Sequence, residues 1–314
     1  MIEVSGLTKF YGNIPAIQNV SFTVARGEIL GFLGPNAAGK TTTMRILAGY
    51  LPPSSGTATV AGHDVWRDSL EVRRRVGYLP ETVPLYGEMT VRSYLTFFAK
   101  LRGVRSLSQR LDYVLGACGL AGQENQVIGR LSRGYRQRVG IAQALIHDPE
   151  VLILDEPTVG LDPRQITEVR SLIRSLGGEH TVILSTHILS EVGQTCSRVL
   201  IINEGRIVAE DSPQQLSARL SGGQRVSLRV QQPAADAAAQ LAQISGVISV
   251  SADSDGRFLV DCTPGMECRP QLASLAVEQG WGVLELRAHD VSLEEVFLRL
   301  TSDTESSKEP EAAN

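Results

Sequence analysis

The segment GPNAAGKTT, residues 34–42, carries residue types that bind phosphate. Gly34, Gly39, Lys40 and Thr41 fit the pattern G-x-x-x-x-G-K-[ST], in which backbone N–H groups and a helix N-terminus face the phosphates. The lysine would reach the β and γ phosphates, and the threonine hydroxyl would bind Mg²⁺. An ordinary glycine-rich turn is the alternative, but a strand-like run precedes this segment and a helical run follows it. We assign the whole loop to nucleotide binding: Gly34, Pro35, Asn36, Ala37, Ala38, Gly39, Lys40, Thr41 and Thr42.

One residue of this loop, Ala37, stands at a variable position where many such loops carry glycine. Alanine keeps its N–H donor, but only glycine enters positive φ at little cost. If the loop has negative φ at this position, alanine costs nothing there. We therefore interpret Ala37 as a tolerated variation.

Two further apolar runs end in residues that can act on a phosphate. Asp155 and Glu156 follow Val151–Leu154, and His187 comes shortly after Thr181–Leu184. Asp155 would hold Mg²⁺ through water, Glu156 would polarise the attacking water, and His187 would lie beside the γ-phosphate. The alternatives are two solvated acids and a polar strand cap.

These residues need a sheet to bring them together. The runs Ile29–Leu33, Val151–Leu154 and Thr181–Leu184 are typical of parallel strands buried on both faces, whose carboxyl ends collect functional groups. Between the first two runs, residues 82–149 have helical spacing, which predicts a helical insertion in an α/β domain.

The sequence changes character after residue 220. Alternating apolar residues in 225–230, 247–251, 258–262 and 283–286 predict strands, and two helical segments lie between them. The order βαββαβ is typical of a small ferredoxin-like domain. We predict a linker at 221–224, a last helix at Leu293–Leu300 and a disordered tail at 302–314.

Composition limits the classes of protein and partner. The chain has 314 residues, of which 42% are hydrophobic, and its net charge of −4 gives no general attraction to nucleic acid. Its four cysteines are scattered, which fits a reducing cytosol. No apolar run approaches the roughly 18–20 residues that would cross a bilayer, so a membrane function would need a separate partner.

A third motif indicates which class of phosphate-loop protein the chain resembles. LSRGYRQRV, residues 131–139, resembles the signature motif L-S-G-G-Q of ATP-binding cassette (ABC) ATPases. Ser132 and Gly134 match it, whereas Arg133 and Tyr135 depart from the usual glycine and glutamine. The other cassette motifs occur in the family's order: Tyr11 as the adenine-stacking aromatic residue, residues 34–42, Glu81 in place of the usual glutamine, residues 151–156, the D-loop Gly160-Leu161-Asp162, and His187.

The resemblance covers about residues 2–220 and implies a P-loop NTPase cassette that works as a dimer. Each ATP would lie between the phosphate loop of one copy and Ser132 and Gly134 of the other, with Asp162 nearby. The metal would be held by Thr41, Asp155 and Glu81. Tyr11 has a second interpretation as a core residue, and Glu81 as a residue that faces water and leaves the metal to the other two.

GYLPE (77–81) and the C-terminal SLEEVFLRLT (292–301) resemble ATPase subunits of bacterial exporters with separate permeases, including the gliding-motility-associated and copper-site-assembly types. We therefore predict an α/β P-loop cassette at 1–220, with its helical insertion at about 82–149, and a small α+β ferredoxin-like domain at 221–301. The resemblance implies an ATP- and Mg²⁺-dependent exporter subunit, cytoplasmic and peripheral on the membrane through a permease. A soluble regulatory or nucleic-acid-linked ATPase and a nucleotide-binding module without hydrolysis are the alternatives.

Overall fold

The computed structural model describes residues 1–220, 225–253, 255–263 and 266–288 of the chain. They form two compact units that divide between Pro213 and Gln214, whereas the change in sequence character predicts a division after residue 220. The predicted linker, last helix and tail lie outside the described residues.

The first unit contains ten strands and most of the helices. Its strands are β1 (Ile2–Tyr11), β2 (Ile14–Val24), β3 (Ile29–Leu33), β4 (Ser55–Val60), β5 (His63–Asp64), β6 (Val76–Leu79), β7 (Val151–Asp155), β8 (Thr181–Thr186), β9 (Arg198–Asn203) and β10 (Arg206–Asp211). Its helices are α1 (Lys40–Leu47), α2 (Ser69–Arg75), α3 (Val91–Leu101), α4 (Leu107–Ala117), α5 (Arg133–Leu145), α6 (Pro163–Leu176) and α7 (Leu189–Thr195), and α8 (Pro213–Leu220) begins at the division.

The central sheet has the strand order β10-β9-β3-β8-β7-β6. All neighbours in it are parallel except the edge pair of β9 and β10. The three predicted strands lie side by side in its middle, and every residue of β7 and β8 is buried. The parallel arrangement brings the ends of β3, β7 and β8 to one edge of the sheet, as the apolar runs predict.

The sequence did not predict the second sheet of this unit. It is antiparallel, with the order β2-β1-β4-β5, and its buried side chains join the same core as α1 and the central strands. The predicted helical insertion contains α3, α4, a 3₁₀ turn at Ile128–Arg130 and α5. Helix α5 packs on β6 and β7, so the insertion is anchored to the central sheet.

The second unit has its own sheet and core. Its elements are β11 (Arg225–Val230), α9 (Ala237–Ala242), β12 (Val247–Ala252), β13 (Arg257–Cys262), α10 (Arg269–Glu278) and β14 (Val283–Ala288). The strand order β12-β13-β11-β14 is antiparallel throughout and is that of a ferredoxin-like βαββαβ fold. The α+β prediction for this region is confirmed.

Candidate functional site

The phosphate loop connects β3 directly to α1, as predicted. Gly34 and Gly39 lie where the backbone passes close to other strands. A Cβ on Gly34 would collide with the carbonyl oxygen of Ile202, and a Cβ on Gly39 would lie 2.6 Å from the carbonyl oxygen of Ala16. Gly39 also has φ 104°, which strongly favours glycine. The spacing of the two glycines therefore reflects tight packing as well as room for phosphate.

Ala37 adopts φ 65°, the left-handed region. The sequence predicted that Ala37 would cost nothing if its φ were negative. The structure does not meet this condition, so that expectation is wrong. A left-handed alanine brings its Cβ close to the carbonyl oxygen that follows, at a cost of roughly 1–2 kcal/mol. The loop thus carries backbone strain where glycine would carry almost none.

Lys40 is the first residue of α1 and is 6% exposed. Its ammonium donates to the carbonyl oxygens of Gly34 at 2.7 Å and Pro35 at 3.1 Å, and it lies 3.3 Å from a carboxylate oxygen of Glu156. The positive charge is therefore held within the loop by oxygen atoms. A phosphate that enters the loop would replace these partners with its own oxygens.

Glu156 follows the end of β7 and joins two predicted functional residues. One carboxylate oxygen faces Lys40, and the other lies 2.9 Å from Nδ1 of His187. The backbone of Glu156 has φ 51°, and its N–H donates to the Ser185 carbonyl oxygen at 2.9 Å. The strained backbone places a buried carboxylate at the mouth of the loop, where it can accept a proton from water.

Asp155 is fully buried beneath the loop. Burial raises its pKa, the hydroxyls of Ser185 and Thr41 act in the opposite direction, and the negative charges of Glu156 and Glu81 raise it further. Among the described residues neither carboxylate oxygen of Asp155 makes a hydrogen bond of good geometry. A buried carboxylate with unused oxygens, close to the Thr41 hydroxyl, has the chemistry of a Mg²⁺ site.

A cavity of about 360 Å³ opens over the loop. It is lined by Ala16, Pro35, Asn36, Ala37, Gly39, Lys40, Thr41, Thr42, Glu81, Glu156, Val159 and His187. Most of the predicted phosphate-contacting and catalytic residues therefore meet in one place. Ala16 and Val159 were missed, because a small or apolar residue without a motif gives no sequence signal.

Glu81 and Tyr11 have different positions relative to this cavity. Glu81 is exposed at its edge, so it can reach a metal or face water. Tyr11 lies at the end of β1, is 48% exposed, and does not line the cavity; the Lys9 ammonium lies 5.8 Å from the centre of its ring. Adenine stacking by Tyr11 stays a prediction.

The remaining predicted residues are Ser132 and Gly134 at the start of α5 and Asp162 at the start of α6, which we together call the signature surface. Ser132 caps α5 by accepting from the Tyr135 N–H at 3.4 Å, and Asp162 caps α6 by accepting from the Gln165 N–H at 2.9 Å. None of the three lines the cavity of the same chain. A Cβ on Gly134 would lie 2.5 Å from the end of the Gln165 side chain of α6, so a larger residue there would displace that side chain.

The two departures from the usual signature motif lie at the edge of this surface. The Arg133 guanidinium lies against Gly160, where a Cβ would collide with it. Tyr135 is exposed and stacks near the Arg138 guanidinium, 5.7 Å from the centre of its ring, while Arg138 pairs with Glu168 of α6. Both replacements therefore pack on neighbouring residues, and Gly134 remains buried.

Comparison with known proteins decides the family. A family model described as ABC transporter matches residues 17–159. A daunorubicin resistance ATP-binding protein of Streptomyces coeruleorubidus is 38% identical to this chain, over 98% of both chains. The chain belongs to the ABC transporter family, as an ATP-binding cassette. The resemblance inferred from the motifs is confirmed.

Further relatives of this ABC cassette include a bacitracin transport ATP-binding protein of Bacillus licheniformis, 38% identical over 96% of this chain and 97% of that protein. Among solved structures, the ATP-binding subunit of an ABC transporter has a TM-score of 0.64 and 29% identity, covering 70% of this chain and 93% of that one. A dimeric bacterial ABC transporter cassette has a TM-score of 0.62 and 25% identity, covering 68% and 98%.

The ABC cassette is therefore an ATP-binding and ATP-hydrolysing subunit of a transporter. Cassettes of this family work with membrane permeases and dimerise. No helix among the described residues is long and apolar enough to span a bilayer.

Proposed function

We propose that two copies of this chain close face to face over two ATP molecules and drive export through a separate permease. The observation that carries this proposal is the division of the predicted site into two surfaces. The cavity holds Lys40, Glu156 and His187, whereas Ser132 and Gly134 lie outside it in the same chain. A second copy would supply the missing contacts, because the start of α5 offers a hydroxyl, N–H groups and the positive end of a helix to a γ-phosphate.

Mg²⁺ would be held by the Thr41 hydroxyl and by Asp155, with Glu81 as a further ligand. The described residues contain no cluster of three His, Cys, Asp or Glu side chains that would hold a metal ion alone. This agrees with Mg²⁺, which usually takes one or two carboxylates and completes its shell with water and substrate phosphates. The ion would neutralise charge that develops on the phosphates.

The carboxylate of Glu156 accepts a proton from the attacking water. His187 holds that carboxylate through its ring nitrogen and would contact the γ-phosphate from the same side, while Lys40 moves from Glu156 to the phosphates. Once the Lys40 ammonium has moved to the phosphates, the carboxylate oxygen of Glu156 that it contacted would be free to bind water. Binding of ATP therefore prepares the base as well as the substrate.

The names of the relatives support a proposal about the class of compound that the transporter exports. Proteins similar to this chain over nearly their whole length are named for daunorubicin resistance, bacitracin transport and linearmycin resistance. We infer that the cargo is an antibiotic-like compound. The permease would dock near residues 81–86, where Tyr86 is exposed beside Phe97 of the helical insertion, and would hold the subunit on the cytoplasmic face of the membrane.

Purification from membranes tests this proposal. The chain with an affinity tag should bring down a polytopic membrane protein, and that complex should hydrolyse ATP faster than the chain alone. Tyr86→Ala should weaken the recovery of the partner, and Tyr113→Ala, an exposed tyrosine on α4, is the matched control. Stimulation of ATPase activity by nucleic acid, without a membrane partner, would favour the alternative function instead.

A further inference from the structure

A buried carboxylate lies close to His187 in the chain and has no role in the predicted site. Glu191 is on α7 and its side chain is 1% exposed. It accepts a hydrogen bond of 3.0 Å from the hydroxyl of Thr186, the last residue of β8. Neither residue contacts the cavity over the phosphate loop, so substrate binding does not explain why a charge is buried here.

The Thr186 hydroxyl makes two hydrogen bonds to residues that follow His187 in the chain. It donates to Glu191, and its oxygen accepts from the Ile188 N–H at 3.0 Å. Residues 186 and 188 are therefore tied together by a single side chain, and the backbone of His187 lies between them. This fixes the direction from which the imidazole reaches Glu156, at 2.9 Å.

Glu191 is held in turn by helix α6. The Arg170 guanidinium lies 3.9 Å from the other carboxylate oxygen, and it also donates to Gln194 at 3.2 Å. That oxygen of Glu191 makes no hydrogen bond within the described part of the chain. An ionised carboxylate in the interior needs a nearby opposite charge, and Arg170 supplies it.

We propose that Glu191 and Thr186 are positioning residues that hold His187 against the catalytic Glu156. Arg170 extends the link to α6, the helix that is capped by Asp162 of the signature surface. A shift of that surface on closure would reach His187 through Arg170, Glu191 and Thr186. The inference rests on the proposed role of His187 in hydrolysis.

Thr186→Val is the direct test, because valine keeps the shape and removes only the hydroxyl. The expected result is a fall in kcat of about tenfold or more, since loss of alignment at a reacting group slows the chemical step, with KM for ATP within about twofold of wild type. Thr186→Ser should restore at least half of kcat. The matched control is Thr195→Val on α7, a buried hydroxyl with no hydrogen-bond partner among the described residues, which should leave kcat unchanged.

Combination with His187→Ala separates positioning from a general loss of stability. If Thr186 acts through His187, the double variant should be no slower than His187→Ala alone. An unchanged kcat in Thr186→Val, or losses that multiply in the double variant, would overturn the inference. If His187→Ala itself retains wild-type kcat, the proposed role of the histidine fails instead.

A second pair of variants covers the case in which Thr186→Val does not fold. Glu191→Gln keeps an oxygen that accepts from Thr186, whereas Glu191→Met has a similar length and no such acceptor. The glutamine variant should keep a severalfold higher kcat than the methionine variant at equal KM. Equal kcat values in the two variants would contradict the positioning role.

Discussion

The cavity and the signature surface differ in how their polar groups are satisfied. In the cavity, Glu156 contacts Lys40 through one carboxylate oxygen and His187 through the other. On the signature surface, the Ser132 hydroxyl accepts from the first turn of its own helix through a long contact of 3.4 Å. The charged groups of the cavity therefore contact one another and would exchange these contacts for those of ATP, whereas the Ser132 hydroxyl is bound weakly within its own helix.

Backbone strain follows the same division. Ala37 and Glu156 both have positive φ and both line the cavity, whereas Ser132 and Asp162 have the extended φ and ψ of ordinary helix caps. Strained residues persist where the surrounding structure holds them and often mark functional sites. The proposed catalytic half of the site is therefore the strained half, and the proposed recognition half is built from regular helix starts.

The largest expected effect separates chemistry from binding within the cavity. Glu156→Gln should lower ATP hydrolysis at least about 100-fold, because removal of a general base typically has this effect, while ATP binding is retained. The measurements are phosphate release and nucleotide affinity. Glu150→Gln, at the opposite end of β7, is the control and should behave as wild type; hydrolysis at the wild-type rate in Glu156→Gln would rule out this base.

A second prediction concerns His147, which follows the C-terminal end of α5, the helix that begins at the signature surface. Burial, and to a smaller extent the positive charge of Arg102, lower the pKa of His147 to about 4, against the hydrogen bond to the Val76 carbonyl oxygen, which acts in the opposite direction. The unfolded chain takes up a proton near the ordinary value of 6.5, whereas the folded chain does so only near 4. The contribution of His147 to the free energy of unfolding is therefore fully present above pH 6.5. It is lost as the pH falls toward 4, which lowers the free energy of unfolding by up to about 3 kcal/mol.

Urea unfolding between pH 7 and pH 4.5 checks this prediction. His147→Gln keeps a donor for Val76 but takes up no proton, so the difference in unfolding free energy between wild type and variant should grow as the pH falls. Parallel curves for the two proteins would show that His147 is not held neutral by the fold.

A smaller effect is expected on the signature surface. Ser132→Ala should cost about 1 kcal/mol of stability through loss of the helix cap and should lower kcat about tenfold, with unchanged ATP affinity of the single chain. Ser106→Ala is the matched control, because Ser106 stands at the N-cap of α4 without a capping hydrogen bond. A loss of ATP affinity in the monomeric Ser132→Ala variant would place Ser132 in the cavity of its own chain.

The smallest expected effect measures strain in the cavity. Ala37→Gly should raise the free energy of unfolding by up to about 1 kcal/mol, because glycine accepts the left-handed backbone that alanine adopts under strain. Ala38→Gly is the control: Ala38 is buried and does not have positive φ, so the same change there should destabilise. Equal effects at both positions would show that strain at Ala37 is not significant.

The sequence predicted the parts of the molecule that follow from patterns of residue type. The run Ile29–Leu33 is a strand with those bounds, and the alternating segments of the C-terminal unit form the expected ferredoxin-like sheet. The phosphate loop, Glu156 and His187 meet as predicted, because the ends of parallel strands lie at one edge of a sheet.

Other features depend on three-dimensional contacts that no local pattern encodes. The positive φ of Ala37 and Glu156 has no signature in the types of these residues, and the antiparallel sheet of β1, β2, β4 and β5 depends on long-range pairing. The burial of Glu191 depends on the position of Arg170, 21 residues earlier in the chain. Tyr11 was placed at the adenine by resemblance alone, and its distance from the cavity reflects the exposed end of β1.

The central claim, that ATP joins the cavity of one copy to the signature surface of another, is tested most directly by the mass of the Glu156→Gln variant in solution. Light scattering should give the mass of one chain without nucleotide and of two chains with ATP and Mg²⁺, and the additional change Lys40→Ala should restore one chain. A mass of one chain with ATP bound, or of two chains regardless of nucleotide, would contradict the account.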